Sequence, residues 1–421
     1  MQIFVLFFFL ASLGASATSA DPNKSFHDLG ISLTQTLGKG LQPGVLFFPE
    51  DCRIILANSG RNEGRTQILS MRLNDRGVFD TLSVYKDTSD VTVSSSGRYL
   101  AIATVKGPFY IYDRWDEKYY IGPREQLLPV DSLVGKPPLM GTYFAVNSLR
   151  FSQDEKQLLT VRSNGDFEVY NLSNWRQHHL TQKSTHPEIR NAVGGDIDFS
   201  GRYLVTFDSQ GQGELIDRNN NALIHSFTGR STDEGSFPSV ISSTYGPHFM
   251  THQPIRAEKK SQMVVQVWHV LGNHRAPMEL LSQQYPVDFN APVIFADKKS
   301  LLSGNSNGSI EQIGLPDAEV IRSYRDGHQK SPITAIALSP DKSTFASGAA
   351  DGSVCLWSLQ KEAPLLVRLN GNSQPIYRIS FSREGNYLLV STANPDAETM
   401  EAAKSVVYLF KVDHVVSEFA E

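Results

Sequence analysis

The chain has 421 residues, of which 20% are charged and 40% hydrophobic, with a net charge of −5. That balance excludes a general nucleic-acid-binding composition. The length exceeds the usual limit of a single hydrophobic core, yet no linker divides the sequence, which calls for an architecture that repeats.

Residues 3–13 are almost wholly apolar, with Phe7-Phe8-Phe9, and small residues follow to Ala20 before Asp21-Pro22-Asn23-Lys24. This pattern reads as a secretory signal peptide with a small-x-small cleavage site at Ala15-Ser16-Ala17 or Thr18-Ser19-Ala20, although its first residues lack Lys and Arg. The apolar run is shorter than the roughly 20 residues of a spanning helix, and nothing after residue 20 could span a membrane. An exported chain, periplasmic or secreted, is expected.

From there a strand, turn, strand rhythm recurs in eight units, near 45–73, 91–114, 146–172, 196–218, 239–270, 292–315, 333–358 and 375–412. The intervals are roughly 43 to 58 residues, the period of a repeat architecture. Only Cys52 and Cys355 occur. Cys355, beside Leu356 and Trp357, reads as a small core residue, and a disulfide between units so far apart is not expected.

The seventh unit is the clearest. Residues 333–338 alternate, Ser339-Pro340-Asp341-Lys342 makes a turn, 344–346 resume, and Asp351-Gly352 forms a hairpin turn before Val354, Leu356 and Trp357. Gly tolerates the positive φ of such a turn, and the last run suits a buried pleated surface. Gly327-His328, the Ser-Pro-Asp turn, Ser347, Asp351-Gly352 and Trp357-Ser358 resemble one unit of the WD-repeat β-propeller family, with Trp-Ser in place of Trp-Asp. The resemblance implies an all-β fold, one closed propeller of four-stranded antiparallel blades; the eight units favour eight blades over the seven most common in that family. It also implies that His328, Ser347, Asp351 and Trp357 form a structural hydrogen-bonded tetrad, because a buried polar chain persists only when every member is satisfied. Other units lack the motif and are expected to rely on apolar packing alone. Residues 31–37 resemble an outer strand that would complete the last blade, with 415–419 as the alternative.

In an antiparallel meander a, b, c, d, the a–b and c–d turns lie on one face and the b–c and d–a connections on the other. The a–b turns are short and alike, whereas 121–143, 182–191, 228–238, 59–65, 253–262 and 394–404 are elaborated connections of the second face. Loops on a rigid scaffold are where binding residues concentrate. The candidate partner-binding residues are Arg61, Arg65, Arg124, Tyr143, Phe144, Arg256 and Arg378; Lys259, Lys260, Asp396, Glu398 and Glu401 make the face mixed in charge and suited to a protein partner.

No G-x-S-x-G elbow, phosphate loop or H-E-x-x-H helix occurs, so no catalytic, cofactor or metal residue is assigned. His248 and His252 in a strand setting stand about 13 Å apart. His178, His179 and His186 read as loop histidines, and Asn305-Ser306-Asn307-Gly308 as a b–c turn without the carboxylates of a calcium loop. Asn23, Asn171 and Asn307 begin N-x-[ST] sequons, which matter only in a eukaryotic secretory route. The expected function is a non-catalytic exported protein-binding scaffold. The alternative is an enzyme or ligand-binding protein with a site in the central channel, although the inner strand starts at Val91, Val146 and Pro332 look small or apolar.

Overall fold

The computed structural model describes the strands and tight turns; residues 1–16, 20–31, 123–127, 130–145, 183–191, 228–238, 393–405 and 413–421, with shorter stretches that include 51–52, 61–64 and 258–259, lie outside the described residues. The strands fall into eight antiparallel sheets that follow one another along the chain, over 43–86, 88–129, 146–182, 192–227, 239–286, 293–324, 333–369 and 376–411. They are named first to eighth here, with strands a to d in chain order.

Burial explains why such short runs become strands. In the seventh sheet every residue of Thr344–Ala349 and Val354–Ser358 is buried, whereas in Ile333–Leu338 only Ile333 and Ala335 are. The middle strands are covered on both faces, and each fully buried Leu or Phe contributes about 1.5–3 kcal/mol. What covers them is the next sheet. Phe109 and Leu158 join the second sheet to the third, Val161 and Leu204 the third to the fourth, and Leu215 and Phe249 the fourth to the fifth. The sequence continues with Val267 and Leu301, Leu302 and Phe345, then Leu356 and Leu388. Glycine lets the later sheets approach closely, since a Cβ on Gly304 or Gly348 would lie 2.7 Å or 2.4 Å from Ile333 or Ile376 of the following sheet.

The a strands lie toward the middle. Those of the first to fifth sheets touch in succession, as do those of the sixth to eighth, and the a strand of the eighth touches that of the first. Six of them carry a register shift at their start, as at Ile376/Arg378.

The eighth sheet takes its outer strand from the other end of the chain. Ser32–Lys39 pairs antiparallel with Val406–Lys411, from Ser32 opposite Lys411 to Lys39 opposite Val406; the alternative strand at 415–419 lies outside the described residues. Two sheets depart from the expected four strands. Ala17–Ser19 adds a fifth strand to the outer edge of the seventh sheet, against Leu365–Leu369, and Leu128–Pro129 does so on Lys118–Gly122 of the second.

Two expected loops are strand. The b and c strands of the fifth sheet run over His248–Ala257 and Lys260–His269 and stay in register to Ala257 opposite Lys260. Those of the first sheet run in register to Gly60 opposite Arg65. Their polar side chains and Pro254 disguised the pairing, because a hairpin that outgrows the core loses the apolar alternation by which strands are recognised. His178 and His179 likewise belong to the strand Arg176–Gln182 and not to a loop, while His186 lies outside the described residues.

A hydrogen-bonded clip and a candidate interaction face

The positions of His328, Ser347, Asp351 and Trp357 follow from the seventh sheet's register. Ser347 and Trp357 come from adjacent b and c strands, Asp351 from the turn between them, and His328 from the connection that precedes the a strand. Trp357 Nε1 donates to Ser347 Oγ at 2.6 Å, and His328 Nε2 lies 2.6 Å from the same oxygen. Asp351 does not reach His328 directly, which corrects the expected tetrad. Ser353 intervenes, with its Oγ 2.7 Å from His328 Nδ1 and 2.6 Å from Asp351 Oδ1.

The chemistry fixes the direction of this chain. A carboxylate only accepts, so Ser353 donates to Asp351 and accepts from His328 Nδ1–H; an indole only donates, so Ser347 accepts from Trp357 and donates to Nε2. Every group is satisfied only when His328 is neutral. Burial pushes the His328 pKa down to about 4, with the Arg368 charge acting in the same sense and Asp351 opposing. Trp357 is fully buried and stacks with Phe345, and a Cβ on Gly327 would lie 2.5 Å from its ring, so this position requires glycine. Cys355 is a free, buried thiol.

Other sheets do not rely on apolar packing alone. In the fifth, Trp268 Nε1 donates to Thr251 Oγ1 at 3.3 Å, at the same register positions as Trp357 and Ser347. In the third, Glu168 accepts from Thr160, Tyr170 and Arg162, the last at 2.8 Å. In the second and fourth, the buried carboxylates of Asp113 and Asp217 at the ends of c strands are gripped by Arg98 and Arg202 at 2.7 and 2.6 Å. The repeated Ser-Gly-Arg-Tyr-Leu turn with an Asp closing the next strand was the overlooked signal.

The a–b turns are built alike. Ser94, Ser152, Asp198, Ser339 and Ser382 each accept, through the side chain, from the amide five residues on, at 2.6–3.1 Å. Gly97, Glu155, Lys342 and Gly385 take the positive φ these turns require. On this face the ends of the fifth sheet's b and c strands bring His248 Nε2 and His269 Nδ1 to 3.0 Å, a pairing that the His248/His252 spacing did not reveal. Burial, then the neighbouring His269, lowers the His248 pKa to about 4.

The opposite face holds the described partner-binding candidates. Arg65 opens a c strand between Gly60 and Lys86, Arg256 sits opposite Ser261, and Arg378 is exposed beside Tyr377 at the start of the eighth sheet's a strand. Arg61, Arg124, Tyr143 and Phe144 lie outside the described residues. Part of the 121–143 segment is outer-edge strand, since Leu128–Pro129 pairs with the d strand of its own sheet. Asn305 and Asn307 bond Ser309 within the b–c turn of the sixth sheet, with Gly308 at positive φ.

The inner strands are more polar than expected. Asp90 of the second sheet accepts from the Leu149 amide at 2.8 Å and from Arg150 of the third at 3.2 Å, and Arg150 Nε lies 3.9 Å from Asp196 of the fourth. Burial raises the Asp90 pKa against the Arg150 charge. This arc fastens three a strands in line. Among the described residues no three His, Cys, Asp or Glu side chains converge as a metal site, and no helix is long and apolar enough to cross a membrane.

The fold is an all-β arrangement of propeller type. The family model described as "WD40: WD domain, G-beta repeat" matches residues 319–358, the d strand of the sixth sheet with the a, b and c strands of the seventh. An uncharacterized WD repeat-containing protein of Schizosaccharomyces pombe is 46% identical over 46 residues, which span 11% of this chain and 10% of that protein. The computationally designed Ika8 protein superposes with a TM-score of 0.58 at 14% identity, over 89% of this chain and 99% of its own. The RRP9 WD40 repeats give 0.48 at 14% identity, over 77% and 94%. Residues 319–358 are a WD repeat, and that match supports the resemblance of the chain to the WD-repeat β-propeller family.

The directed clip makes two predictions. Ser347→Ala orphans both Trp357 Nε1 and His328 Nε2 and costs about 2–4 kcal/mol, against about 1–3 kcal/mol for Ser353→Ala, which orphans His328 Nδ1 and takes one bond from the exposed Asp351, still held by the Ser353 amide. Urea unfolding measures both, and equal costs would contradict the arrangement. Because His328 binds its proton more weakly when folded, its stabilisation is complete above the ordinary pKa of about 6.5 and is lost as pH falls toward 4, by about 3 kcal/mol. Replacement of His328 by Gln should flatten that part of the stability profile measured from pH 7 to pH 4.

Proposed function

We propose that the chain is an exported, non-catalytic protein-binding scaffold, an eight-bladed ring whose b–c and d–a face receives the partner. WD-repeat proteins generally act as protein-interaction scaffolds. Eight sheets in succession, contact between the first and last a strands, and the pairing of Ser32–Lys39 with the eighth sheet support the ring.

One observation carries the choice of face. In the second, third, fourth, seventh and eighth sheets the b strand ends opposite the first residue of the a strand, as at Val146 opposite Arg162. The first sheet's b strand continues past Asn58 to Gly60, and the fifth sheet's past His252 to Ala257. Structure therefore rises from one face while the other keeps its uniform turns. The second reading, a channel-site enzyme, would use Asp90, Arg150 and Asp196; their engagement with one another and with the Leu149 amide favours a latch.

Photo-crosslinking amino acids at Arg256 and Tyr377 should yield partner adducts in the chain's own cell, and the same groups at Asp341 and Glu384 on the a–b face should not. Adducts from the second pair alone reverse the assignment. Mass spectrometry of the exported chain should give an amino terminus at Asp21 or Thr18, so that the mature chain loses all or part of the Ala17–Ser19 edge strand; an intact Met1 in a cytosolic chain contradicts export.

A further inference from the structure

We infer that the overgrown ends of the first and fifth sheets form two cationic posts on opposite sides of the ring, which together hold an extended acidic segment of a partner protein. The inference rests on the eight-bladed, b–c-face reading above and names the class of its partner.

The placement comes from register. At about 3.4 Å per residue the fifth sheet rises about 17 Å beyond its a strand and the first about 7 Å. At the end of the first sheet the ladder sets Gly60, Arg65 and Lys86 side by side, with Tyr85 opposite Thr66. At the end of the fifth it sets Arg256 opposite Ser261, Ala257 opposite Lys260, and Tyr285 opposite Met263. Each end thus carries two cations and a tyrosine, with no anion among these paired residues. The joining residues Arg-Asn-Glu-Gly at 61–64 and Glu-Lys at 258–259 each sum to zero charge.

In a ring of eight, the first and fifth sheets are diametrically opposed. Sheets pack about 10 Å apart and strands about 4.8 Å apart, which places the two b–c ends about 40 Å from one another. About 12 extended residues bridge that distance. Between the posts, at the a-strand starts, are Tyr377, 54% exposed, and the exposed Arg378. A cation at each end and one between suits a peptide whose acidic residues are spread along it. A net charge of −5 over the whole chain disfavours nucleic acid, whose dense phosphates would meet general repulsion.

Two separated weak contacts on one ligand give an affinity greater than either alone, provided that the ligand is long enough to span them. The test uses the whole chain and fluorescent Glu-Ser repeat peptides of about 16 and about six residues, chosen to exceed and to fall short of the span. The long peptide should bind at least about tenfold more tightly than the short one. Arg65→Glu with Lys86→Glu should erase that difference, and so should Arg256→Glu with Lys260→Glu, while Asp341→Lys with Glu384→Lys on the other face should leave it intact. Far-UV spectra and melting temperatures of the reversals establish that they fold.

Equal binding of the two peptides, or a difference that survives both reversals, overturns the inference. Tighter binding of an oligo-dT of about 16 nucleotides overturns the choice of partner class. If the long peptide bridges the posts while native crosslinks map to the a–b face, the proposed partner face fails and the posts' preference stands. If crosslinks map to the b–c face and the reversals change nothing, only the present inference fails.

Discussion

The pairing of Ser32–Lys39 with Val406–Lys411 is the contact on which the arrangement depends. A four-stranded sheet with both faces apolar is not stable alone, so each sheet here is stable only between two neighbours. A row of such sheets would leave two naked ends. The matched repeat at 319–358 begins with the outer strand of one sheet and ends with the third strand of the next. That offset of one strand leaves the final sheet short of its outer strand, and the amino-terminal segment supplies it. Joining residues so far apart in sequence costs loop-closure entropy once, and the cost grows only slowly with length.

Within that frame, the polar clips solve a local problem in several ways. A b strand and a c strand pressed between two apolar neighbours carry a few buried polar groups, each of which needs a partner. The seventh sheet meets this with a neutral histidine, two serines and an aspartate, the third with an Arg–Glu–Tyr–Thr cluster, the second and fourth with an arginine gripping a buried carboxylate. Breaking such a pair by removal of the cation leaves a buried charge, which is costly, so the clips resist piecemeal loss.

The recurrence of the units was legible because Ser-Pro-Asp, Ser-Gly-Arg and Asp-Gly turns fall between apolar runs, and these turns have strong local requirements. Asp351-Gly352 and the Asn305 to Gly308 turn sit where their chemistry indicated. What the sequence could not convey was contact between strands of different sheets. Nothing near Asp90 in the chain points to Arg150, and Ser353 is an ordinary residue until the turn places it between His328 and Asp351. The tall hairpins resemble loops in the sequence for the same reason: their length is set by pairing between polar strands, and polar residues leave no apolar alternation by which a strand is recognised.

The central claim is that the two ends of the chain meet in one sheet. Neighbouring antiparallel pairs alternate between Cα separations of about 5.5 and 4.5 Å, both within reach of a disulfide. Paired cysteines at Gln35 and Leu409, and separately at Thr36 and Tyr408, introduced with Cys52→Ser, test it directly. Mild oxidation should close an intrachain disulfide in at least one variant and raise its melting temperature, with peptide mapping to identify the link. Failure of both variants to crosslink, or crosslinks formed only between molecules, would contradict the account.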